Sequence, residues 1–457
     1  MPPMYNLIEQ RWKMTSELVK NIAETAAGYF GAPSLSVSVI SRGEKFEASL
    51  GCTQRTVFQI GEISKTFLCS ALRTSGIDTD RPVADISPWF RMSSEELTRQ
   101  VTLKDIILQR TGLPPHEASW FFNPQLSYRE LTGRIRYLDT AFGLRDRWCR
   151  QDHLFAAASC VLEDVTGKKW NSYCMDQTIK PARLASTFCS VADMEESGYQ
   201  DVAAAHLSAY GQTAEVSLWM TDLLAGGVSM LSCIEDLAEW TDKNAGNVLA
   251  ESIAVPGEEL FGFPPSAVGV REVNYSDGWF IMDMLGEKLI CSFGKVGGSA
   301  VFTGKVVGHD LSFVAAAGIG GNFCTEAVGF AICEEAIRGE HSDWNKRMTE
   351  LGKAVSNLKR ARNSSFLRRC TDDVFSPSIS GIYKNEGYGE IELKEEFGRL
   401  FLTVFGLPMR IYATDSDVCV LDATQLLGYA LPCRITEERA EMLLEPECSE
   451  MICFRRQ

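Results

Sequence analysis

The stretch Thr56-Val57-Phe58-Gln59-Ile60-Gly61-Glu62-Ile63-Ser64-Lys65-Thr66-Phe67 constrains this chain more than any other. An apolar run of strand character meets a glycine, and a helix follows whose start carries Glu62 and Lys65. Residues three apart share a helical face, so these two side chains point the same way. Each helical residue turns by about 100°, which sends Ser64 elsewhere and makes it a helix-start hydroxyl bonded to backbone. A backbone N–H at such a helix start can face a developing oxyanion. The plainest reading of Glu62 and Lys65 is an ordinary helical ion pair.

At 457 residues the chain is long for one domain, and 45% hydrophobic with 23% charged residues supports a sizeable core. A net charge of −15 argues against nucleic acid or an anionic membrane as partner. The opening MPPMYNLIEQRWKMTSELVK lacks the apolar core of a signal peptide. Apolar stretches such as Leu311 to Ile319 are too short for membrane insertion. A soluble, cytoplasmic protein is the expectation. The 15 cysteines show no C-x-x-C and read as reduced thiols packed as small hydrophobes. His116, His153, His206, His309 and His341 are isolated, so neither a metal nor a cofactor is expected.

Residues 5–28 have helical periodicity through Leu7, Ile8, Trp12, Leu18, Val19 and Ile22. Ser34 to Ile40 and Glu44 to Leu50 read as a strand pair around Ser41-Arg42-Gly43. Asp80 to Ile86 reads as a loop, Val101 to Ile107 as a capped helix start, and 152–164 as an Ala-rich helix. Strands are expected around Gly278 to Ile281, Leu289 to Cys291 and Leu311 to Val314, with a helix at 325–338. Residues 344–376 read as a charged helical connector. Beyond Pro377, short strands at regular spacing indicate a small antiparallel barrel or sandwich. The expected domains are therefore 1–343, 344–376 and 377–457.

In this order the motifs resemble the serine β-lactamase/transpeptidase-like superfamily, on its class C β-lactamase and esterase side. Val57 to Lys65 looks like the nucleophile segment, with Lys65 at the lysine of S-x-x-K and Glu62 at its serine. Val101-Thr-Leu-Lys-Asp-Ile-Ile-Leu-Gln-Arg-Thr-Gly-Leu-Pro114 is similar to the family's I-T-L-R-D-L-L-T-H-T-S-G-L-P. Arg147 to Asp152 sits where the family has Y-x-N, with Arg150 and Asp152 at the tyrosine and asparagine positions. Ala225-Gly226-Gly227 and Ser232 to Trp240 look like its A-G-G and S-x-x-x-D-x-A-x-W pair. Gly294-Lys295-Val296-Gly297-Gly298 looks like its K-T-G segment. Residues 377–457 are similar to a lipocalin-like barrel on some members, through Tyr383 to Gly389 and Gly406-Leu407-Pro408. The resemblance implies an α+β fold: an antiparallel sheet flanked by helices, an all-helical region, and the C-terminal barrel.

The resemblance also implies an oxyanion hole built on the N–H groups of Glu62 and Gly298. Glu62, Lys65 and Arg150 are the candidate catalytic residues. Asp152, Lys295, Gly298, Trp120 and Trp148 are candidates for substrate binding. With a carboxylate among cations in place of a hydroxyl nucleophile, the chemistry expected is proton transfer beside a carbonyl: isomerisation, elimination or cyclisation. Arg150 is suited to holding a carboxylate. Surplus positive charge would favour an anionic or enolate-forming ligand. The resemblance implies secondary metabolism and a hydrophobic small-molecule substrate with a carbonyl or carboxylate. A non-catalytic ligand-binding scaffold and a residual serine hydrolase or acyltransferase are the alternatives. Oligomeric state is not readable.

Overall fold

A computed structural model describes residues 13–209, 212–219, 221–371, 374–404, 407–424, 428–448 and 450–457. Leu7, Ile8, Trp12 and Gly406 fall outside them. The first helix, α1 (Ser16–Phe30), starts where Thr15 accepts a hydrogen bond from the Leu18 N–H at 3.1 Å and ends at Gly31, which takes a φ of 62°. Val19, Ile22, Ala23 and Ala26 form its buried stripe.

The chain divides into two compact units, one of residues up to Ser75 and Lys169–Gly352, the other of Gly76–Lys168 and Lys353–Gln457. The first unit holds an eight-stranded antiparallel sheet. Its strands are β1 (Leu35–Ser41), β2 (Glu44–Leu50), β3 (Ile253–Ala254), β4 (Val270–Ser276), β5 (Trp279–Met284), β6 (Glu287–Val296), β7 (Ser299–Val306) and β8 (Leu311–Ala317), in the order β2-β1-β8-β7-β6-β5-β4-β3. All seven residues of β8 are buried, because a central strand covered on both faces must be apolar throughout. That explains why Leu311 to Ile319 reads as a continuous apolar run. Helices α2 (Ser64–Thr74), α3 (Ile234–Asn244) and α4 (Cys324–Arg338) belong to this unit. Phe67 of α2 stacks on Trp240 of α3 at 4.0 Å, and the Trp240 indole N–H donates to Thr66 Oγ1 at 2.9 Å. These contacts fix the pitch of the helix that carries Lys65.

In the second unit, residues 76–168 form short helices and the longer helix Asp152–Thr166. Val83–Ile86 is a helical turn rather than loop, because Pro82 presets its entry and the Val83 N–H bonds Val101 O at 2.9 Å. Asp105, fully buried, closes a capping box with Thr102 and also bonds Arg110 and Arg145. Burial pushes its carboxyl up, but these donors outweigh it and hold the carboxyl below its ordinary value.

The C-terminal part is a closed barrel of eight antiparallel strands: β9 (Gly381–Asn385), β10 (Gly389–Glu396), β11 (Arg399–Val404), β12 (Leu407–Thr414), β13 (Cys419–Ala423), β14 (Tyr429–Ile435), β15 (Arg439–Met442) and β16 (Ile452–Arg456). It closes through the β12–β13 pairing of Ile411 with Leu421. Helix α5 (Trp344–Leu367) fills most of the connector, and Cys370–Thr371 already pairs with β12. All fifteen cysteines are free. Among the described residues no helix is long and apolar enough to cross a membrane.

Candidate functional site

Gly61 is where the site begins. It has a φ of 52°, and a Cβ there would press on the Lys295 N–H and the Val296 side chain. Glycine therefore lets the turn Gly61–Ile63 lie directly against β6. The last registered pair of β6 with β5 is Cys291 with Phe280, so beyond it the β6 edge is open to the turn. The Lys295 backbone N–H donates to Glu62 Oε2 at 3.1 Å. The half-buried Glu62 carboxylate is thus held at the edge of β6, and Lys65, buried in the first turn of α2, follows three residues later.

Ser64 lies elsewhere. It is fully buried, donates to the Gly61 carbonyl at 2.6 Å and accepts from the Met230 N–H at 3.1 Å. Both bonds tie its hydroxyl to backbone, as its position predicted.

Lys295 runs along its own side of the strand. Its ammonium forms an ion pair with Glu326 and lies 4.6 Å from the Phe323 ring centre. Glu326 is 3% exposed, at the start of α4. The sequence reading missed it, although a lone acid opening the apolar run Ala327 to Cys333 is a signal, since a buried carboxylate needs a partner. Gly298 is buried in the β6–β7 turn, with its carbonyl accepting from the His206 backbone N–H at 3.1 Å.

The remaining candidates belong to the second unit. Arg150 is paired with Glu117, and its Nε lies 4.0 Å from Asp152 Oδ2. Asp152 opens the helix Asp152–Thr166, where a negative charge suits the helix dipole. Trp120 stacks on Phe121 at 4.0 Å, and Trp148 is buried. The expected surplus of positive charge is not found in either unit's set. Lys65 and Lys295 stand against Glu62 and Glu326, and Arg150 stands against Glu117 and Asp152.

A family model described as Beta-lactamase matches residues 19–317, and the chain belongs to that family. It is similar to the unguisins hydrolase ungD' of Aspergillus campestris (strain IBT 28561), 22% identical over 376 residues, 73% of this chain and 68% of the relative. The unguisins hydrolase ungD of Aspergillus violaceofuscus (strain CBS 115571) is 21% identical over 386 residues, with 74% and 68% covered. Among solved structures, the octameric penicillin-binding protein homologue from Pyrococcus abyssi aligns over 96% of this chain and all of its own, with a TM-score of 0.61 and 16% identity. A D-stereospecific amidohydrolase from Streptomyces sp. aligns over 71% of this chain and 99% of its own, with a TM-score of 0.57 and 17% identity. These likenesses show the β-lactamase fold.

Proposed function

We propose that this chain is an enzyme whose central group is the Glu62 carboxylate, acting as acid and base on a small carbonyl compound of secondary metabolism. The reaction proposed is an isomerisation, elimination or cyclisation. One observation carries the reading: the family's nucleophile segment presents a carboxylate hydrogen-bonded to the β6 edge, while its serine is locked to backbone. A carboxylate fixed in this way is suited to taking a proton from a carbon beside a carbonyl, and backbone N–H groups at the helix start stabilise the resulting enolate. Lys65 sets the charge beside the base. Gly298 is proposed as a binding group of the same unit, and Arg150, Asp152, Trp120 and Trp148 as binding groups of the second unit. Because Lys295 already has a carboxylate partner, a neutral carbonyl substrate suits it better than a carboxylate.

The relatives' names favour a second reading, in which the same carboxylate activates water for hydrolysis. The two separate in isotopic solvent. Purified protein is incubated with neutral cyclic monoketones in deuterated water, and with unguisins in ¹⁸O-labelled water, each read as the rate above an enzyme-free control. Deuterium at carbon without cleavage supports proton transfer; ¹⁸O in a cleaved product supports hydrolysis. Glu62→Gln is expected to lower either activity by about 10² or more. Unchanged turnover in that variant would sink both readings, and a fluorophosphonate adduct on the intact protein would restore a serine hydrolase.

A further inference from the structure

The second unit contains a cavity of about 300 Å³, at the lower end of the range for small-molecule pockets. One wall comes from the helical segments, through Phe122, Asn123, Arg134 and Tyr137; the other is the β9–β10 hairpin from Lys384 to Glu390. The hairpin is rigid. Asn385 Oδ1 accepts from the N–H groups of Gly387 and Tyr388 at 2.8 and 2.9 Å, and its amide nitrogen donates to Cys453 O at 3.0 Å. Asn123 ties the two walls together, its amide nitrogen donating to Ser119 O at 2.8 Å and Tyr388 O at 2.7 Å.

Arg134 is the group this scaffold leaves unsatisfied. It caps the helix Tyr128–Gly133, and its Nη1 is buried without a hydrogen-bond partner. Buried donors are almost always paired, and a guanidinium more strictly than most. Burial lowers its pKa, and the nearby carboxylates of Glu130, Glu386 and Glu390 oppose that shift only in part. Arg134 lines the cavity wall, and Gly389 packs against its guanidinium. Gly389 has a φ of 79°, and a Cβ there would stand 2.8 Å from Arg134 Nη1 and closer still to Asn123 Oδ1. In the lining Arg134 and Lys384 balance Glu386 and Glu390, with Lys384 3.8 Å from Glu390. A bound dianion such as phosphate would leave two negative charges in excess there and a single carboxylate only one, which favours the carboxylate. Phe122 and the half-exposed Tyr137 ring supply an apolar wall beside it.

We propose that this cavity binds a small monocarboxylate bearing an apolar or aromatic group, its carboxylate held by Arg134 and its apolar part against Phe122 and Tyr137. The site is independent of the Glu62 chemistry. The test is calorimetric titration of the full chain with N-acetylphenylalanine and with its neutral amide. The acid is expected to bind at least tenfold more tightly than the amide. Arg134→Gln should remove that difference, and Tyr137→Ala, a rim change that leaves the guanidinium in place, should weaken both probes several-fold. Equal binding of acid and amide to the unaltered chain, which needs no variant to fold, overturns the proposal. So does a preference for the acid that survives Arg134→Gln.

Discussion

At the scale of single residues, Ser64 and Glu62 show how two neighbours in one helix start take opposite parts. Two helical steps separate them, a rotation of roughly 200°, which directs Glu62 to the β6 edge and Ser64 into the interior. The Ser64 hydroxyl is a structural bond: it satisfies the Met230 N–H, which is otherwise buried without a partner. Ser64→Ala is expected to cost about 1–3 kcal/mol, the range for a buried donor left unpaired, seen as a lower denaturation midpoint. Turnover per folded molecule should stay unchanged. A Ser64→Ala protein with full stability but no activity contradicts this assignment. Glu326 belongs to the same scale. Replacing it with Gln leaves Lys295 without its carboxylate while keeping the side-chain shape. The variant is expected to lower turnover several-fold, since the Lys295 side chain loses the partner that fixes it; unaltered turnover removes Glu326 from the site.

At the scale of elements, the contact between the Ile60–Ile63 turn and β6 holds the site together, and it depends on glycine twice. Gly61 needs its positive φ, and at Gly294 a Cβ would collide with the Ile60 carbonyl. Gly294→Ala must push strand and turn apart, lengthening the Lys295 N–H to Glu62 bond. The expected result is a loss of turnover of about tenfold or more, because small misplacements of a catalytic group are costly, together with a lower melting temperature. Turnover retained alongside normal melting would mean that this contact does not position Glu62. Much of this level was legible in the sequence. The strand pair at β1 and β2, the capped helix at Thr102, the Ala-rich helix at Asp152 and the β6 motif announce themselves through periodicity, caps and glycines. Strands β4 and β7 did not, because Val270–Ser276 mixes charged and apolar residues and Ser299–Val306 is buried at nearly every position, giving no alternation to read. The ion pairs of Lys295 with Glu326 and Arg150 with Glu117 were also hidden. Each joins residues more than thirty apart in sequence, and no local pattern encodes such a pairing.

At the scale of the whole molecule, sequence composition foresaw a C-terminal barrel but not what binds it within its unit. A buried cluster does so: the His116 Nε2–H donates to Asp139 O at 2.8 Å, so Nδ1 accepts from the Tyr388 hydroxyl at 2.6 Å, and Glu445 lies 4.0 Å from that nitrogen. Burial drives His116 down to about 3 and His153 to about 4, and pushes Glu445 up to about 8. The linkage has two arms of opposite sign. Unfolding lets the histidines recover their ordinary value near 6.5, so the unfolded chain binds more protons between about pH 4 and 6.5 and their contribution is lost as pH falls. Unfolding lets Glu445 ionise from its ordinary 4.5, so its contribution is lost as pH rises from 4.5 to about 8. The histidine pair alone amounts to about 3 kcal/mol between pH 6.5 and 5, and Glu445 opposes it by roughly 2 kcal/mol over the same interval. Stability of the unaltered chain should therefore fall by only about 1 kcal/mol from pH 6.5 to 5. In Glu445→Gln the opposing arm is gone. Its denaturation midpoint should fall steeply from pH 6.5 to 5 and lose less than the unaltered chain between pH 6.5 and 8. Parallel midpoint curves for the two proteins across both intervals would show that Glu445 does not titrate in this cluster.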